Sequence, residues 1–245
     1  MSVLRSFGFL LGYGLITVVW GTLGLLFGWL MPYKQRFEFI VVAWTRLIMA
    51  WLRLTCGITI KIEGHAHIPA EPCVVLVRHE STLETLCLQS IFVPQTTVIK
   101  RELLRIPFFG WAYSLLKPIA IDRRDARGAL KALVRSGQRR LNDGIWVVLF
   151  PEGTRTPPGE PGRFQRGGTA LATAAKVPVL VVAHDAGRYW PARTWRKAPG
   201  IVRVRISPPI ETDARTTPEL TQEAETWMRN AMAELYASDV EISDR

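Results

Sequence analysis

The chain has 245 residues, 48% of them hydrophobic, and a formal net charge of +10. That length holds one sizeable domain with an appendage, and the charge calls for an anionic partner: nucleic acid, a phospholipid surface or a phosphorylated substrate. The three cysteines, Cys56, Cys73 and Cys87, lack C-x-x-C spacing and leave an odd count, which argues against a disulfide framework or a structural zinc site and for a reducing compartment.

Residues 7–32 carry no charge, and 7–31 form a run of 25 residues rich in Leu, Val, Phe, Trp and Gly. At about 1.5 Å per residue this crosses a hydrocarbon core of about 30 Å. The run is too long for a signal-peptide h-region and no small-x-small site comes after it, so it is expected to stay in lipid; spanning and re-entry are both open. Gly8, Gly12, Gly24 and Gly28 form two G-x-x-x-G pairs, which fit close helix approach, but the expectation adopted is the ordinary glycine content of membrane helices. Next come Lys34 and Arg36, then a second apolar stretch, 37–54, broken by Glu38, Arg46 and Arg53 and carrying Trp44 and Trp51. It reads as an interfacial helix with tryptophans and snorkelling arginines at headgroup level, with an amphipathic helix packed on the soluble part as the alternative. Basic residues where the first segment ends place the remainder of the chain on the cytoplasmic face, which in a bacterium is that of the inner membrane. Residues 1–56 are thus a membrane-embedded or interfacial helical segment, and 57–245 a separate domain.

From Gly57 onward, short β-rich runs alternate with helical patterns, the signature of an α/β layered domain. Strands are expected at 58–62, 73–77, 96–99, 119–121, 146–150, 179–182 and 202–206, and helices at 81–91, 126–141 and 168–176. Only 202–206, Val-Arg-Val-Arg-Ile, alternates strictly, so the sheet should be mixed and mostly buried between helices, with that strand at an edge. Between 101 and 166 there are thirteen Lys/Arg against six Asp/Glu, which makes this the region expected to bind an anion. Lys131, Arg135, Arg139 and Arg140 are spaced as a solvated helix face. A last helix is expected to start with Thr217 as cap and Pro218 at its first position, its stripe of Leu220, Ala224, Trp227, Met228, Ala231, Met232 and Leu235 facing the core.

Three strand ends carry residues suited to chemistry. The run 73–77 leads into Arg78-His79-Glu80-Ser81-Thr82-Leu83-Glu84. A histidine at a strand end is well placed as a general base, and a carboxylate beside it would fix its tautomer. Because residues five apart do not share a helix face, His79 must precede the helix and Glu84 lie in its first turn. Ser81-x-x-Glu84 is also a capping box, and this stretch alone leaves the two readings level. The second constellation is Phe150-Pro151-Glu152-Gly153-Thr154-Arg155. Gly153 allows close backbone approach, Thr154 offers a hydroxyl, and Arg155 a fork suited to phosphate; a plain turn explains it equally. The third is Ile121-Asp122-Arg123, where Arg123 could reach a phosphate. His65, His67 and His184 stand apart and read as surface or loop residues, and no metal is required.

In this order the three elements resemble the motifs of the 1-acyl-sn-glycerol-3-phosphate acyltransferases. Residues 100–111, from Lys100 through Pro107 to Trp111, are similar to the segment leading to the family's second motif, and 177–182 to its fourth. The resemblance covers 73–210. The family usually has Asp where this chain has Glu84 and Asn where it has Arg78, and its fourth motif often has proline where this chain has Val181-Val182-Ala183. Glutamate keeps the charge and adds a methylene of reach.

The resemblance implies a glycerolipid acyltransferase fold and direct acyl transfer, with no cofactor. His79 would deprotonate the free hydroxyl of a lysophospholipid, which attacks the thioester of acyl-CoA or acyl carrier protein, while Glu84 orients the imidazole. Lys100, Arg123, Glu152, Gly153, Thr154 and Arg155 would bind substrate, with the amides around Gly153 or the Lys100 side chain as oxyanion donors. Glu152 would meet glycerol oxygens or form a structural pair with arginines. No G-x-S-x-G elbow is present, so no nucleophilic serine is expected. Partners are therefore a phospholipid membrane, a lysophospholipid and the acyl donor. The alternatives are another acceptor, such as a lyso-aminolipid or glycerol 3-phosphate, or a non-catalytic protein binding anionic lipid, whose function would survive His79→Ala. A nucleic-acid binder is disfavoured by the uncharged segment and by the absence of a recognition motif.

Overall fold

Gly57, in the left-handed region at φ +69°, ends the N-terminal helical stretch and turns the chain into its first strand. The computed structural model describes residues 2–121 and 126–237. The elements are α1 (Ser2–Phe27), α2 (Tyr33–Phe37), α3 (Trp44–Cys56), β1 (Ile58–Glu63), β2 (Val74–Val77), α4 (Leu83–Cys87), β3 (Gln95–Thr97), β4 (Ile99–Lys100), α5 (Phe109–Ser114), β5 (Ala120–Ile121), α6 (Ala126–Asn142), β6 (Trp146–Leu149), α7 (Gly167–Ala175), β7 (Val179–His184), α8 (Ala186–Tyr189), β8 (Gly200–Ile206) and α9 (Thr217–Ala237). A π-helical turn, Glu38–Ala43, joins α2 to α3. The chain divides into two compact units, Met1–Gly57 with Thr85–Val148, and Ile58–Glu84 with Leu149–Arg245. The division reflects packing, not chain order, so the N-terminal helices share a unit with the middle of the chain.

In the first unit α1 packs along α3, and glycines of the N-terminal stretch lie against neighbouring side chains. A Cβ placed on Gly12 would lie 2.1 Å from Trp51 Nε1, and one on Gly28 would lie 2.8 Å from Ile40 Cδ1. These glycines therefore serve close approach, which overturns the expectation of mere background glycine content; Gly8, with nothing within 4 Å, is the exception. Trp44 and Trp51 are also not displayed at an interface. Their indole N–H groups donate to Thr17 Oγ1 at 3.2 Å and to the Phe9 carbonyl at 3.3 Å. An indole turned toward α1 satisfies its donor without water, and Trp44 also meets Phe109 of α5, with ring centroids 5.5 Å apart. Arg36 closes the C-terminal end of α1 by donating to the Gly28 and Met31 carbonyls, each at 2.8 Å, and to that of Leu115 at 3.0 Å. The other side of α1 exposes Leu4, Phe7, Leu11, Leu15 and Leu26. Both Val3–Leu30 and Tyr33–Cys56 are long and apolar enough to cross a membrane.

The expected strand at 96–99 is two short pieces: β3 runs parallel to β6, and β4 parallel to β5. Residues 109–114 form α5, a helix not expected beside Pro107 and Gly110. Arg140 leaves the solvated face expected of it, donating to the Lys117 carbonyl at 2.6 Å and lying over the Tyr33 ring, while Lys131, Arg135 and Arg139 are exposed.

The second unit carries a mixed sheet. β1 pairs parallel with β8, β8 antiparallel with β7, and β7 parallel with β2. β8 therefore lies between two strands and not at an edge. Its alternation has another cause: Arg203 pairs with Asp185, and Arg205 with Glu63 and Glu234, so the arginine face is covered by acids while Val202, Val204 and Ile206 are buried. α9 packs on β7 and α7 on β2, and every residue of β2 and β7 is buried. α9 is capped one residue earlier than expected. Thr216 accepts from the Glu219 N–H at 3.5 Å while Glu219 accepts from the Thr216 N–H at 2.8 Å, a reciprocal box.

Candidate active site

β2 ends at Val77, and the Arg78 N–H continues its ladder by donating to the Val182 carbonyl of β7 at 3.0 Å. The next residue, His79, leaves the sheet with its side chain 17% exposed. Ser81 then starts α4, its hydroxyl accepting from the Leu83 N–H at 3.0 Å and donating to the Trp190 carbonyl at 2.5 Å. Glu84, in the first turn, is buried, and its Oε1 meets His79 Nδ1 at 2.8 Å and the Ser81 N–H at 3.1 Å. The capping box and the histidine pair are thus both real and share one oxygen. An Nδ1–H donated to this carboxylate leaves Nε2 as the basic nitrogen.

Burial is the first influence on Glu84 and pushes its carboxyl up to about 7, while His184, the backbone donors at Glu84 and Ser81, and the charge of Arg155 pull it partly back. The imidazole of His79 stacks on Phe150, with ring centroids 4.0 Å apart and planes 23° from parallel. Phe150 opens the loop after β6. In that loop Gly153 takes φ +72° and donates its N–H to the Phe150 carbonyl at 3.0 Å, closing the turn. The Thr156 N–H returns to the His79 carbonyl at 3.0 Å, tying the loop to the strand end. Thr154 and Arg155 are exposed.

Glu152 is turned inward. It accepts from Arg78 Nη1 at 2.5 Å, from the Thr156 hydroxyl at 2.6 Å and from the His79 N–H at 3.2 Å, the structural pair that was one of its two readings. Lys100 belongs to the other unit, exposed at the end of β4, and Arg123 lies outside the described residues. Among the described residues, no group of three His, Cys, Asp or Glu side chains could hold a metal ion.

Two residues gain an importance that their place in the sequence did not suggest. Arg78 is fully buried. It also donates to Thr156 Oγ1 at 2.5 Å and to the carbonyls of Pro157 and Glu160 at 2.6 and 3.2 Å, and pairs with Glu80 at 3.1 Å. An arginine that continues an apolar strand into the interior must bring its counter-charges with it, but only the fold shows that Arg78 turns inward. His184 is neither a surface nor a loop residue, since it ends β7 and is fully buried. Its Nδ1 accepts the Ala186 N–H at 3.3 Å and its Nε2 donates to the Arg78 carbonyl at 2.9 Å, so it braces the strand end behind His79.

A protein-family model described as Acyltransferase matches residues 59–185, which include His79, Glu84 and the whole 150–156 loop. Over 99% of its length the chain is 45% identical to the 1-acyl-sn-glycerol-3-phosphate acyltransferase of Pseudomonas aeruginosa, of which it covers 97%. The chain belongs to this acyltransferase family. The human 1-acyl-sn-glycerol-3-phosphate acyltransferase alpha is 30% identical over 78% of this chain and 68% of its own length. The crystal structure of the Thermotoga maritima 1-acyl-sn-glycerophosphate acyltransferase, PlsC, superposes with a TM-score of 0.79 at 22% identity, covering 96% of each chain. This acyltransferase therefore has the PlsC fold, a mixed sheet flanked by helices.

Proposed function

We propose that the protein transfers a fatty acyl group from acyl-CoA or acyl carrier protein to the free hydroxyl of 1-acyl-glycerol 3-phosphate, giving phosphatidic acid for phospholipid synthesis. The observation that carries this reading is the 2.8 Å contact between His79 Nδ1 and Glu84 Oε1, with the ring held flat on Phe150. His79 Nε2 takes the hydroxyl proton as the oxygen attacks the thioester carbonyl, and Glu84 stabilises the imidazolium that forms. The tetrahedral adduct collapses, the C–S bond breaks, and the thiolate leaves with the proton from the imidazolium. A thioester needs no further activation, so a positioned base, contributing about 10² to 10⁴ in rate, suffices without an acyl-enzyme.

Arg155, exposed beside the pair, is suited to the acceptor phosphate. On the strength of the family resemblance Lys100 and Arg123 also bind substrate, with the amides around Gly153 or the Lys100 side chain as oxyanion donors. Glu152 anchors the loop rather than meeting glycerol oxygens. The two N-terminal apolar helices hold the enzyme in the membrane that supplies its substrate, and Lys34 and Arg36 favour the cytoplasmic face.

The test is purified protein in detergent, given labelled acyl-CoA and acyl carrier protein with a panel of lysolipid acceptors. Transfer to 1-acyl-glycerol 3-phosphate is expected, with a loss of about 10² or more in His79→Ala. Equal turnover by the variant overturns the mechanism, and preference for another headgroup overturns the acceptor.

A further inference from the structure

We infer that Arg78 is a positioning residue for the substrate loop: its guanidinium balances the buried carboxylates Glu80 and Glu152 and so leaves Arg155 for the acceptor phosphate. The inference rests on the functional reading above. Arg78, Glu80 and Glu152 have fully buried side chains in their ion pairs, and one guanidinium contacts both acids, Glu80 at 3.1 Å and Glu152 at 2.5 Å. The same guanidinium reaches Thr156, Pro157 and Glu160, so a single side chain holds the far half of the loop that Glu152 begins.

The two acids are supported unequally without it. Glu80 also accepts the N–H groups of Gly159 and Gly187 and the hydroxyl of Tyr236, and His184 Nδ1 stands 3.7 Å away. Glu152 has the Thr156 hydroxyl, the His79 N–H and a long contact from the Gly162 N–H at 3.4 Å. A buried carboxylate that loses its cation must recruit another or take a proton. Arg155, exposed three residues along the same loop, is the cation at hand, and turning inward it would leave the substrate. His79 meets this network only through its backbone N–H and carbonyl, while its side chain is held by Glu84 and Phe150, so the defect should fall more on binding of the acceptor than on the proton transfer.

The experiment compares Arg78→Met, Arg78→Lys, Glu152→Gln and the double variant Arg78→Met/Glu152→Gln, full length in detergent. Arg78→Met is expected to raise KM for the lysolipid about tenfold, with KM for the acyl donor unchanged and kcat within about threefold. Arg78→Lys, which keeps the charge but not the fork, should fall between it and wild type. A merely structural role would reduce the active fraction, lowering kcat at constant KM. In thermal unfolding the double variant should be more stable than Arg78→Met, because removing the second charge relieves the first deletion. This arm keeps its meaning if Arg78→Met is poorly folded, and also if wild-type protein acylates no lysolipid, which would overturn the function but not the clamp. A wild-type KM in Arg78→Met, or a double variant no more stable than that single one, overturns the inference.

Discussion

One oxygen of Glu84 serves both His79 Nδ1, at 2.8 Å, and the backbone N–H of Ser81, at 3.1 Å. The orientation of the candidate base and the start of α4 are consequently set by the same atom, and the reach of that side chain matters to both. Shortening it by one methylene in Glu84→Asp should pull the oxygen from at least one partner. A drop of about tenfold in kcat is expected, with KM for either substrate little changed. Steady-state kinetics on the purified variant check this, and a fully active aspartate variant would show that the backbone absorbs the difference.

The burial of Glu84 has a consequence for stability. Its carboxyl is raised to about 7 from the ordinary 4.5, so between these values the folded state holds a proton that the unfolded chain has released. The contribution is fully present below about 4.5 and is lost as pH rises through about 7. Glu84→Gln removes this dependence. Its Tm, relative to wild type, should rise from pH 5 to pH 8, while its activity at pH 8 falls about 10² or more because no anion faces the imidazolium. Parallel melting curves for the two proteins across this range would contradict the burial argument.

His184 bridges two backbone groups, the Arg78 carbonyl and the Ala186 N–H, in a fully buried position. His184→Leu strands both, each worth about 1–3 kcal/mol when left unpaired in the interior. A marked fall in Tm is expected, and chemical denaturation measures it. If stability is unchanged, the brace behind His79 is not needed.

The seam between α1 and α3 offers an internal contrast. Gly12→Ala would put a methyl 2.1 Å from Trp51 Nε1, whereas Gly8→Ala meets nothing within 4 Å. The first should cost about 1–3 kcal/mol through overpacking, and the second should be neutral or slightly favourable, since alanine is the better helix former. Thermal stability of the two variants in detergent distinguishes them.

Much of the site was legible because its motifs are local. The apolar run before Arg78 and the box Ser81-x-x-Glu84 fix a strand end and a helix start within a few residues, so the spacing alone put His79 before the helix and Glu84 in its first turn, where they are found. Arg78 and His184 were not legible in this way. Their partners lie 74 and 106 positions away in the chain, and nothing in the local pattern separates a buried histidine from one in a loop. β8 misled for a related reason: alternation records that one face is polar, but Asp185, Glu63 and Glu234 cover that face as water would at an edge.

The sequence by itself determined the α/β character, the apolar N-terminal helices, the family and the identity of the candidate base, since each rests on residue type and short spacing. Tertiary structure alone decided that α1 packs on α3 at Gly12, that Glu152 turns inward to Arg78, and that Arg155 is left exposed. Those outcomes depend on which charges and surfaces meet across long stretches of chain, where the cost of burying an unpaired ion or an indole N–H selects among arrangements that local pattern cannot rank.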